Sequence, residues 1–472
     1  MSTIKNLLNQ NKNHKRIFKL AGKLGQSLGY KTYLVGGYIR DLFMSKTAND
    51  IDIVVDKNGI TYAKKLSKIV GSEGFIAFEK FGTAQLTFND LKIEISTARS
   101  ETYSKNSRKP LVVFSDINDD LSRRDFTVNS IAVSILPESF GQIFDPFNGI
   151  KDINCKKLIT PLDPNKTFKD DPLRMLRAIR FAAQLNFDID IKSFECIKVH
   201  RQRLNIISQE RITEELIKLL RTDKPSIGFN LMQKSKLLKY VFPEMLDMHG
   251  IEIINGKGHK DVFIHTLQVV DNAAKLTNKM EIRFAALVHD IAKPITKRFN
   301  KKKGWTYHGH EEVGKRMISY IAKRMKLPNE LKKYLQILTK LHLRPIALAK
   351  KEITDSAVRR LIFEAGNFID DLMILCRADI TTKNHIKVKK YINNFDKVEK
   401  LIQNVKLKDE MKKFQSPVKG KVIMKDLNLE PGPIVGQIKT AIEEAILDGL
   451  IKNEFNDAYD YMLKIKDKYL KI

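Results

Sequence analysis

The sequence contains few of the residues that form disulfide bonds or structural zinc sites. It has three cysteines and one tryptophan in 472 residues, and the cysteines, Cys155, Cys196 and Cys376, show no CxxC spacing. This argues against a disulfide framework or a zinc knot and is typical of a reducing cytosol. No run approaches the roughly 18 apolar residues of a membrane-spanning helix, and the polar start lacks the apolar core of a signal peptide. We therefore expect a cytoplasmic protein without a membrane partner.

Acidic residues are also scarce relative to basic ones. Lys and Arg total 84 against 55 for Asp and Glu, which gives a formal net charge of +29. Such a field attracts polyanions and indicates a nucleic acid or nucleotide partner. Part of the excess is compositional, because Lys, Asn and Ile abound throughout the chain. Hydrophobic residues, at 43%, are sufficient for ordinary buried cores.

The periodicity of apolar residues changes along the chain. Up to about residue 150 short strands alternate with helices, and from about residue 170 the pattern is helical. Gly250 to His259 is punctuated by glycine and is the best candidate linker. The expected fold class is α+β. The predicted divisions are a leading helix at 1–30, an α/β head at 31–152, a helical neck at 153–249, a second helical body at 250–385 and a helical tail at 386–472.

Local patterns predict individual elements. A leading helix begins at Ile4 and ends before Gly29. The predicted strands are Thr32–Val35, Asn49–Val55, Gln85–Phe88 and Leu91–Ser96, the last two joined by a turn at Asn89-Asp90. The other predicted helices are Tyr38–Met44, Asp171–Leu185, Gln209–Leu220 and Ile227–Lys236.

Two aspartates follow closely after a pair of glycines. Residues two apart in a strand face the same way, so Asp50 and Asp52 project together while Ile51 enters the core. Two carboxylates on one rigid edge suit Mg²⁺. Such a site can activate a 3′-hydroxyl and neutralise a triphosphate.

The flanking residues fit the same chemistry. Gly36 and Gly37 lie between a strand and a helix, where the absence of Cβ lets backbone N–H groups approach phosphate oxygens. Arg40 can add a bidentate phosphate contact. Glu94 lies between two isoleucines of another strand, so it is either a third carboxylate of the site or a solvated charge at the sheet edge.

Further segments carry a resemblance to a known family. RRDFTVNS at 123–130, DPFNG at 145–149 and DDPLRMLRAIRF at 170–181 resemble, with the Gly-Gly and Asp-x-Asp residues, the class II tRNA nucleotidyltransferases and bacterial poly(A) polymerases. That family usually has Glu at the position of Asp170. The resemblance implies a polymerase-beta-type head, with tRNA, ATP and CTP as partners. It implies catalytic roles for Asp50 and Asp52 and nucleotide contacts by Gly37, Arg40, one of Arg123 and Arg124, Asp171, Arg174, Arg177 and Arg180.

The start of the helix after Pro172 explains how such a site could select a base. Asp171 and Arg174 are three residues apart and can lie side by side. Ionised Asp only accepts hydrogen bonds and Arg only donates them. Cytosine and adenine both present an amine donor next to a ring acceptor, whereas guanine and uracil present the reverse order. One Asp–Arg pair can therefore accept the first two bases and refuse the others.

A second constellation uses histidine. His265, the pair His289-Asp290, and Asp379 occur in the order that resembles the HD phosphohydrolase superfamily. The resemblance implies that these four residues hold a divalent metal and that His310 and His342 complete a second site. Imidazole and carboxylate ligands suit a transition metal, and its bound water could attack a phosphate ester.

The favoured interpretation is template-free addition of CCA to the tRNA 3′ end, with Mg²⁺ in the head. A poly(A) polymerase and a partial CC-adding or A-adding enzyme stay open, because the head motifs alone do not separate them and the loop at about Ser100 to Asp116, which would help, cannot be interpreted from one sequence. An alternative of another class is an HD phosphohydrolase whose head only binds tRNA.

Overall fold

A computed structural model describes residues 4–47, 50–89, 91–102, 111–254, 256–348, 355–413, 416–447 and 450–470. Asn49 of a predicted strand, Asp90 of the predicted turn and residues 103–110 of the predicted loop lie outside this set. The chain divides into two compact units, residues 1–343 with 370–383 and residues 344–369 with 384–472. In the described residues no helix is long and apolar enough to cross a membrane.

The head of the first unit is built on a mixed sheet. Its strands are β1 (Thr32–Val35), β2 (Asp50–Val55), β3 (Gly74–Phe78), β4 (Thr83–Phe88), β5 (Leu91–Thr97), β6 (Arg99–Thr102), β7 (Leu111–Phe114), β8 (Ala132–Ser134) and β9 (Ile143–Phe144). Seven form one sheet in the order β3-β4-β5-β2-β1-β8-β9, and β6 pairs with β7 in a hairpin. Only the β2–β5 pair of the sheet is parallel in the described strands. The head helices are α1 (Ile4–Leu8), α2 (Lys12–Leu28), α3 (Gly37–Phe43), α4 (Gly59–Val70), α5 (Ile117–Ser122) and α6 (Gly149–Asn154).

The predicted leading helix is two helices rather than one. The side chain of Asn11 accepts hydrogen bonds from the N–H groups of Asn13 and His14 at 2.9 and 3.2 Å, which starts a new helix at α2. Gly29, with φ of +62°, ends α2 as expected. The four predicted strands are present within one or two residues of their predicted ends.

The neck is almost entirely helical. It contains β10 (Lys157–Leu158), paired in parallel with β11 (Asp188–Ile189), and α7 (Pro164–Asp170), α8 (Leu173–Leu185), α9 (Ile191–His200), α10 (Gln209–Leu220), α11 (Ser226–Lys234) and α12 (Leu238–Val241). The helix predicted from Asp171 begins at Leu173. Asp170 ends α7, and Asp171 Oδ1 accepts the N–H of Leu173 at 3.1 Å, so Asp171 is the residue that caps α8.

A helical body follows the neck. The predicted linker contains a short hairpin, β12 (Ile253–Ile254) with β13 (Lys257–Gly258). The body then has α13 (Val262–Leu276), α14 (Met280–Val288), α15 (Lys293–Thr296), the hairpin β14 (Arg298–Asn300) with β15 (Gly304–Thr306), α16 (His310–Arg324) and α17 (Asn329–Leu341).

A buried arginine joins this body to the neck. Arg283 of α14 is 2% exposed. Its guanidinium donates to the carbonyls of Leu220 and Thr222, both at 2.9 Å, where α10 ends. It also donates to the carbonyls of Thr277 and Ala274. One side chain therefore satisfies carbonyl groups of both regions, which a helix end cannot satisfy internally.

The two units interleave in sequence after α17. The second unit contains α18 (Arg344–Leu348) and α19 (Asp355–Ala365), and the chain returns to the first unit in α20 (Ile369–Ala378) from Asp370. The second unit then continues with α21 (His385–Lys413), α22 (Gly420–Asp426), α23 (Pro433–Leu447) and α24 (Phe455–Leu470). Its apolar core includes Val418, Ile438, Ile442 and Met462. Part of the predicted 250–385 body, residues 344–369, thus packs with the tail segment.

Candidate active sites

Adjacent parallel strands bring three acidic side chains of the head to one face. The register of β2 and β5 places Asp52 beside Glu94. Ile51 and Ile93 alternate with them and are fully buried, so the carboxylates point away from the core. Asp50, two residues from Asp52, lies on the same face. Asp50 and Glu94 are exposed and Asp52 is half-buried.

The position of Asp52 makes its charge unfavourable. Burial, together with the carboxylates of Glu94 and Asp50, outweighs the opposing effect of Arg124 and Arg40 and raises the pKa of Asp52 to about 6. A cation at this face would relieve the repulsion. In the described residues, the groups of three or more ligands whose donor atoms all lie within 4.8 Å are elsewhere, so the head carboxylates do not form a closed ligand set.

Gly36 allows the backbone to pass close to this carboxylate. It has φ of +72° and connects β1 to α3. A Cβ there would lie 3.0 Å from Asp52 Oδ2 and 3.1 Å from Arg124 Nη1. Both the conformation and the space therefore require glycine. Gly37 is the first residue of α3, and a Cβ there would lie 3.5 Å from Arg40 Nη2.

A fully buried aspartate that the sequence analysis did not single out organises Arg123 and Arg124. Asp120 accepts from Arg124 Nη2 at 2.9 Å and from Arg123 Nε at 3.0 Å. Burial alone would raise the pKa of Asp120, but Arg124 and Arg123 outweigh it and lower the pKa. Arg123 also donates to Glu101 and to the carbonyl of Arg99. Arg124 is the member of the pair that adjoins Gly36 and Asp52. Arg123 is bound instead by Asp120, Glu101 and the carbonyl of Arg99.

A chain of hydrogen bonds crosses from the head to the neck. Arg40 Nη1 donates to Asn129 Oδ1 at 2.8 Å, Asn129 Nδ2 donates to Asp125 Oδ1 at 2.9 Å, and Arg177 Nε donates to Asp125 Oδ2 at 2.7 Å. Burial would raise the pKa of Asp125, but Arg177 and the hydrogen bonds lower it to about 2. Arg40 of α3 and the neck helix α8 are thereby held in one network.

One aromatic ring lies beneath three of these arginines. The guanidinium carbons of Arg40, Arg177 and Arg180 lie 5.3, 5.3 and 4.0 Å from the centroid of Phe181. The ring face attracts cations and so offsets their mutual repulsion. Arg180 is otherwise engaged inside the neck, where Nε donates to Glu215 at 2.7 Å.

Asp171 and Arg174 lie at the start of α8 on the head side. Both are half-buried. Asp171 caps the helix as described, and Arg174 Nη2 donates to the carbonyl of Arg123, a direct contact between neck and head. The pair is thus brought next to the head. Its two members bond backbone groups rather than each other in the described structure.

Six side chains of the helical body meet in a second site. His265, His289 and Asp379 form one group of ligand atoms within 4.8 Å, and Asp290, His310 and His342 form another. Asp290 lies between the groups: its Oδ2 is 3.4 Å from His265 Nε2 and its Oδ1 is 3.3 Å from His310 Nε2. These are the six residues that the sequence placed at the HD site.

Backbone carbonyls orient three of the histidine rings. The Nδ1 atoms of His289, His310 and His342 lie 2.8, 2.7 and 2.6 Å from the carbonyls three residues earlier. Each Nε2 is left to face the centre, as in histidines that ligate metals. His289 Nε2 and Asp290 Oδ1 are buried without a hydrogen-bond partner in the described structure. Buried ligand atoms of this kind, with lone pairs and no hydrogen-bond partner, fit a bound cation.

Two histidines of this site have pKa values shifted in opposite directions. Burial would lower the pKa of His265, but hydrogen bonds to Asp290 and Asp379 raise it to about 9. Burial lowers the pKa of His342 to about 4. Lys293, whose Nζ lies 2.5 Å from Asp290 Oδ2, is a further cation that the sequence analysis missed.

Comparison with known proteins agrees with this architecture. A family model described as "Poly A polymerase head domain" matches residues 32–159, one described as a probable RNA and SrmB-binding site of polymerase A matches 186–248, and the HD domain matches 262–383. The "Multifunctional CCA protein" of Shewanella frigidimarina is 30% identical over 383 residues, which cover 76% of this chain and 86% of that protein. The chain belongs to the CCA-adding enzyme and poly(A) polymerase family. Its members are nucleotidyltransferases.

Other members of the family match almost end to end. The CCA-adding enzyme of Staphylococcus aureus is 27% identical over 461 residues, covering 95% of this chain and 96% of that enzyme. A solved structure of a CCA-adding enzyme in an apo form has a TM-score of 0.59 with 23% identity, covering 98% of both chains. A Thermotoga maritima CCA-adding enzyme, solved in complex with tRNA, has a TM-score of 0.58 with 20% identity and covers 98% of both chains. The α+β fold with a helical neck and HD domain is therefore that of the family.

Proposed function

We propose that this chain adds CCA to the 3′ end of tRNA from CTP and ATP without a nucleic-acid template. The observation that carries the proposal is the position of Asp52, which lies beside Glu94 and close to Gly36 and Arg124. Relatives named CCA-adding enzymes match over nearly the whole chain, and related structures contain tRNA, CTP or ATP. Residues 31–152 are the nucleotidyltransferase head, 153–249 the neck that binds base and RNA, 250–385 the HD domain and 386–472 the tail.

The head carboxylates fit Mg²⁺. This ion takes one or two protein carboxylates and completes its shell with water and substrate phosphate oxygens, so an open set suits it. Asp50 and Asp52 would hold it, with Glu94 as the neighbouring acidic group. When bound there, Mg²⁺ lowers the pKa of the tRNA 3′-hydroxyl and neutralises triphosphate charge.

Arginine side chains of the head supply positive charge at fixed positions. Arg124 adjoins Gly36 at the turn where a triphosphate would approach the backbone, and Asp120 fixes its guanidinium. Arg40, held by Asn129, adds a second cation from α3. These prearranged charges stabilise the negative charge of in-line displacement at the α-phosphate without reorganisation.

Base selection is assigned to the start of α8. Asp171 can accept from the exocyclic amine of cytosine or adenine, and Arg174 can donate to the adjacent ring nitrogen. Arg174 would exchange its bond to the Arg123 carbonyl for the base. Arg177, at the far end of the head–neck network, keeps α8 in place while this happens.

The decisive assay uses three tRNA transcripts that end at the discriminator, at C and at CC. Each is incubated with Mg²⁺ and with CTP, ATP, GTP or UTP singly and together, and products are resolved at single-nucleotide resolution. Growth to CCA followed by a stop is expected. A stop after CC, or addition only to the CC-ended tRNA, means a partial enzyme, and an open-ended A ladder means a poly(A) polymerase.

A second activity is favoured by the HD site. Asp290 bridges two sets of ligands, as a carboxylate does between paired metal ions. His265, His289, Asp290 and Asp379 would hold one transition metal, and Asp290, His310 and His342 the other. Bound metal would supply a hydroxide-like nucleophile at neutral pH for hydrolysis of a phosphate ester. Metal-supplemented protein is tested on bis(4-nitrophenyl) phosphate, with Asp290→Asn as the inactive comparison.

The alternative of another class, an HD phosphohydrolase whose head only binds tRNA, gains no support from the head geometry. The proposal of nucleotidyl transfer is supported instead by Asp52 beside Glu94, by Arg40 held on Asn129 and by Asp171 at the start of α8. If Asp50→Ala left every activity on RNA intact, the transfer proposal would be abandoned in favour of this one.

A further inference from the structure

A cavity of about 250 Å³ lies where the leading helices meet α3 of the head. Its walls come from the end of α1, the start of α2, one face of α3 and the residues that follow α3. Those used below are Gln10, Asn11, His14, Tyr38 and Lys46. Of these, only Tyr38 lies within the segment of the nucleotidyl-transfer motif, on α3 between Gly37 and Arg40. The cavity is therefore a feature of the head that the transfer site does not use.

The start of α2 carries positive charge that its own residues do not compensate. The first turn of this 17-residue helix contains no acidic residue, and Lys12 and Lys15 lie within it. The N-terminus of a helix is the positive end of its dipole, so it favours anions and disfavours cations. None of the described residues that line the cavity is acidic, and Lys46 adds a further cation. The surroundings of the cavity therefore favour a negatively charged ligand.

A buried histidine offers a donor without a partner. His14 is 5% exposed, and its ring lines the cavity. Its Nδ1 lies 3.0 Å from the hydroxyl oxygen of Tyr38. Burial raises the pKa of Tyr38 and lowers the pKa of His14, so the phenol keeps its proton for Nδ1 and the imidazole is neutral. The ring proton then lies on Nε2, which has no hydrogen-bond partner in the described residues. A buried donor of this kind requires an acceptor.

We propose that this cavity binds an anion of the phosphate class at the junction of α2 and α3. Nε2–H of His14, the ammonium group of Lys46 and the amide of Gln10 would donate to its oxygens. The Oδ1 of Asn11 already accepts the N–H groups of Asn13 and His14, so its Nδ2 is the group that can donate to a ligand. Several donors at a helix N-terminus, without a carboxylate, are the chemistry that recognises phosphate oxygens. The anion comes either from free phosphate or from the backbone of bound RNA.

Nuclear magnetic resonance of histidine tests the site without an activity assay. The full chain is labelled with ¹³C at Cε1 of its ten histidines, and His14→Gln and His385→Gln assign two of the signals. Inorganic phosphate is added at constant ionic strength in the presence of a chelator. The His14 signal should shift saturably, and the signal of the exposed His385 should not. No shift of the His14 signal, or an equal shift with chloride, overturns the proposal.

Variants with His14 intact then locate the anion. Asn11→Asp keeps a good N-cap residue and places a negative charge at the cavity, so α2 should remain folded while phosphate affinity falls at least tenfold. Lys46→Met should weaken binding about tenfold, the size of one charge-assisted hydrogen bond. Lys64→Met, which removes an exposed charge from α4, is the matched control and should bind like the parent. Thermal melting checks that each variant folds. A folded Asn11→Asp or Lys46→Met chain with the affinity of the parent overturns the proposal.

A tRNA transcript in phosphate-free buffer separates the two sources of the anion. If an RNA phosphate occupies the cavity, tRNA should shift the His14 signal of the parent chain and leave that of Asn11→Asp in place. If free phosphate is the ligand, inorganic phosphate should shift the signal and tRNA should not. A shift with tRNA that Asn11→Asp retains would place the RNA elsewhere and overturn the assignment to RNA.

Discussion

The acidic face of the head and the HD site of the first unit differ in how many ligands the protein supplies. The HD site brings six donor side chains together, and backbone carbonyls fix three of its histidine rings. The head offers carboxylates on two strands that form no closed set. A closed set retains its ion through turnover, whereas an open one exchanges it with each nucleotide. An open set of this kind fits the proposed Mg²⁺, which completes its shell with water and substrate phosphate oxygens.

Loss of one head carboxylate should have the largest effect. Asp52→Asn is expected to lower nucleotide addition about 10³-fold, because a metal contributes several kcal/mol to transition-state stabilisation. Single-turnover extension of a CC-ended tRNA measures it. Glu79→Gln, an exposed carboxylate of the same domain, is the matched control and should be near normal. Equal activities of the two variants would contradict the assigned role of Asp52.

Removal of the Asp290 carboxylate tests whether the HD site holds metal more tightly than the head does. Asp290→Asn should lower the affinity of the HD site for Mn²⁺ or Ni²⁺ about 100-fold, because even outer partners of metal ligands are worth 10–100-fold. Metal content after gel filtration, measured by mass spectrometry, reports it. The parent chain should retain metal at this site and lose Mg²⁺ from the head. Retention of metal by both the parent and Asp290→Asn to the same level would refute the bridging assignment.

The head also depends on the network that reaches it from the neck. Asp125 has its pKa lowered from 3.8 to about 2, so the ionised group stabilises the fold by roughly 2 kcal/mol at neutral pH. This stability is fully present above pH 4 and disappears as the pH falls through about 2. Asp125→Asn should therefore unfold at lower urea concentration at pH 7, and the difference from the parent should shrink towards pH 2. A difference independent of pH would mean that packing, not charge, is lost.

The smallest effect concerns the choice of base. Arg174→Ala should reduce the preference for CTP over UTP about tenfold, since a bidentate base contact is worth about 1–3 kcal/mol. Competition between labelled CTP and UTP on a tRNA ending at the discriminator gives the ratio. Arg180→Ala is the informative comparison on the same helix, because Arg180 is paired with Glu215 and should change stability more than selectivity.

Local patterns predicted the elements that depend on nearby residues. Alternation pointed Asp52 and Glu94 away from the core, and the resemblance to the HD superfamily singled out six residues that the structure brings together. Contacts between distant segments had no such signal. Asp120 beneath two arginines, Asn129 between Arg40 and Asp125, and Phe181 beneath three guanidinium groups depend on how head and neck pack.

The same limit explains features that the sequence did not show. The nucleotide contact expected of Arg180 stays a prediction, and its hydrogen bond to Glu215, 35 residues later, had no local signal. The break between α1 and α2 came from a single side chain, Asn11, that competes for the backbone N–H groups. Residues 344–369 have ordinary helical patterns, and such patterns do not say which unit a helix joins.

Arg283 has a consequence for how this chain can be divided. Its guanidinium satisfies the last carbonyls of α10, a neck helix, from within the HD domain. A fragment that stops after the neck would lose both hydrogen bonds, each worth about 0.5–1.5 kcal/mol, and would expose the neck surface that α14 covers. Gene truncations that remove the HD domain should thus yield a less stable transferase. The HD domain would be retained for this reason even in descendants whose metal ligands had been lost.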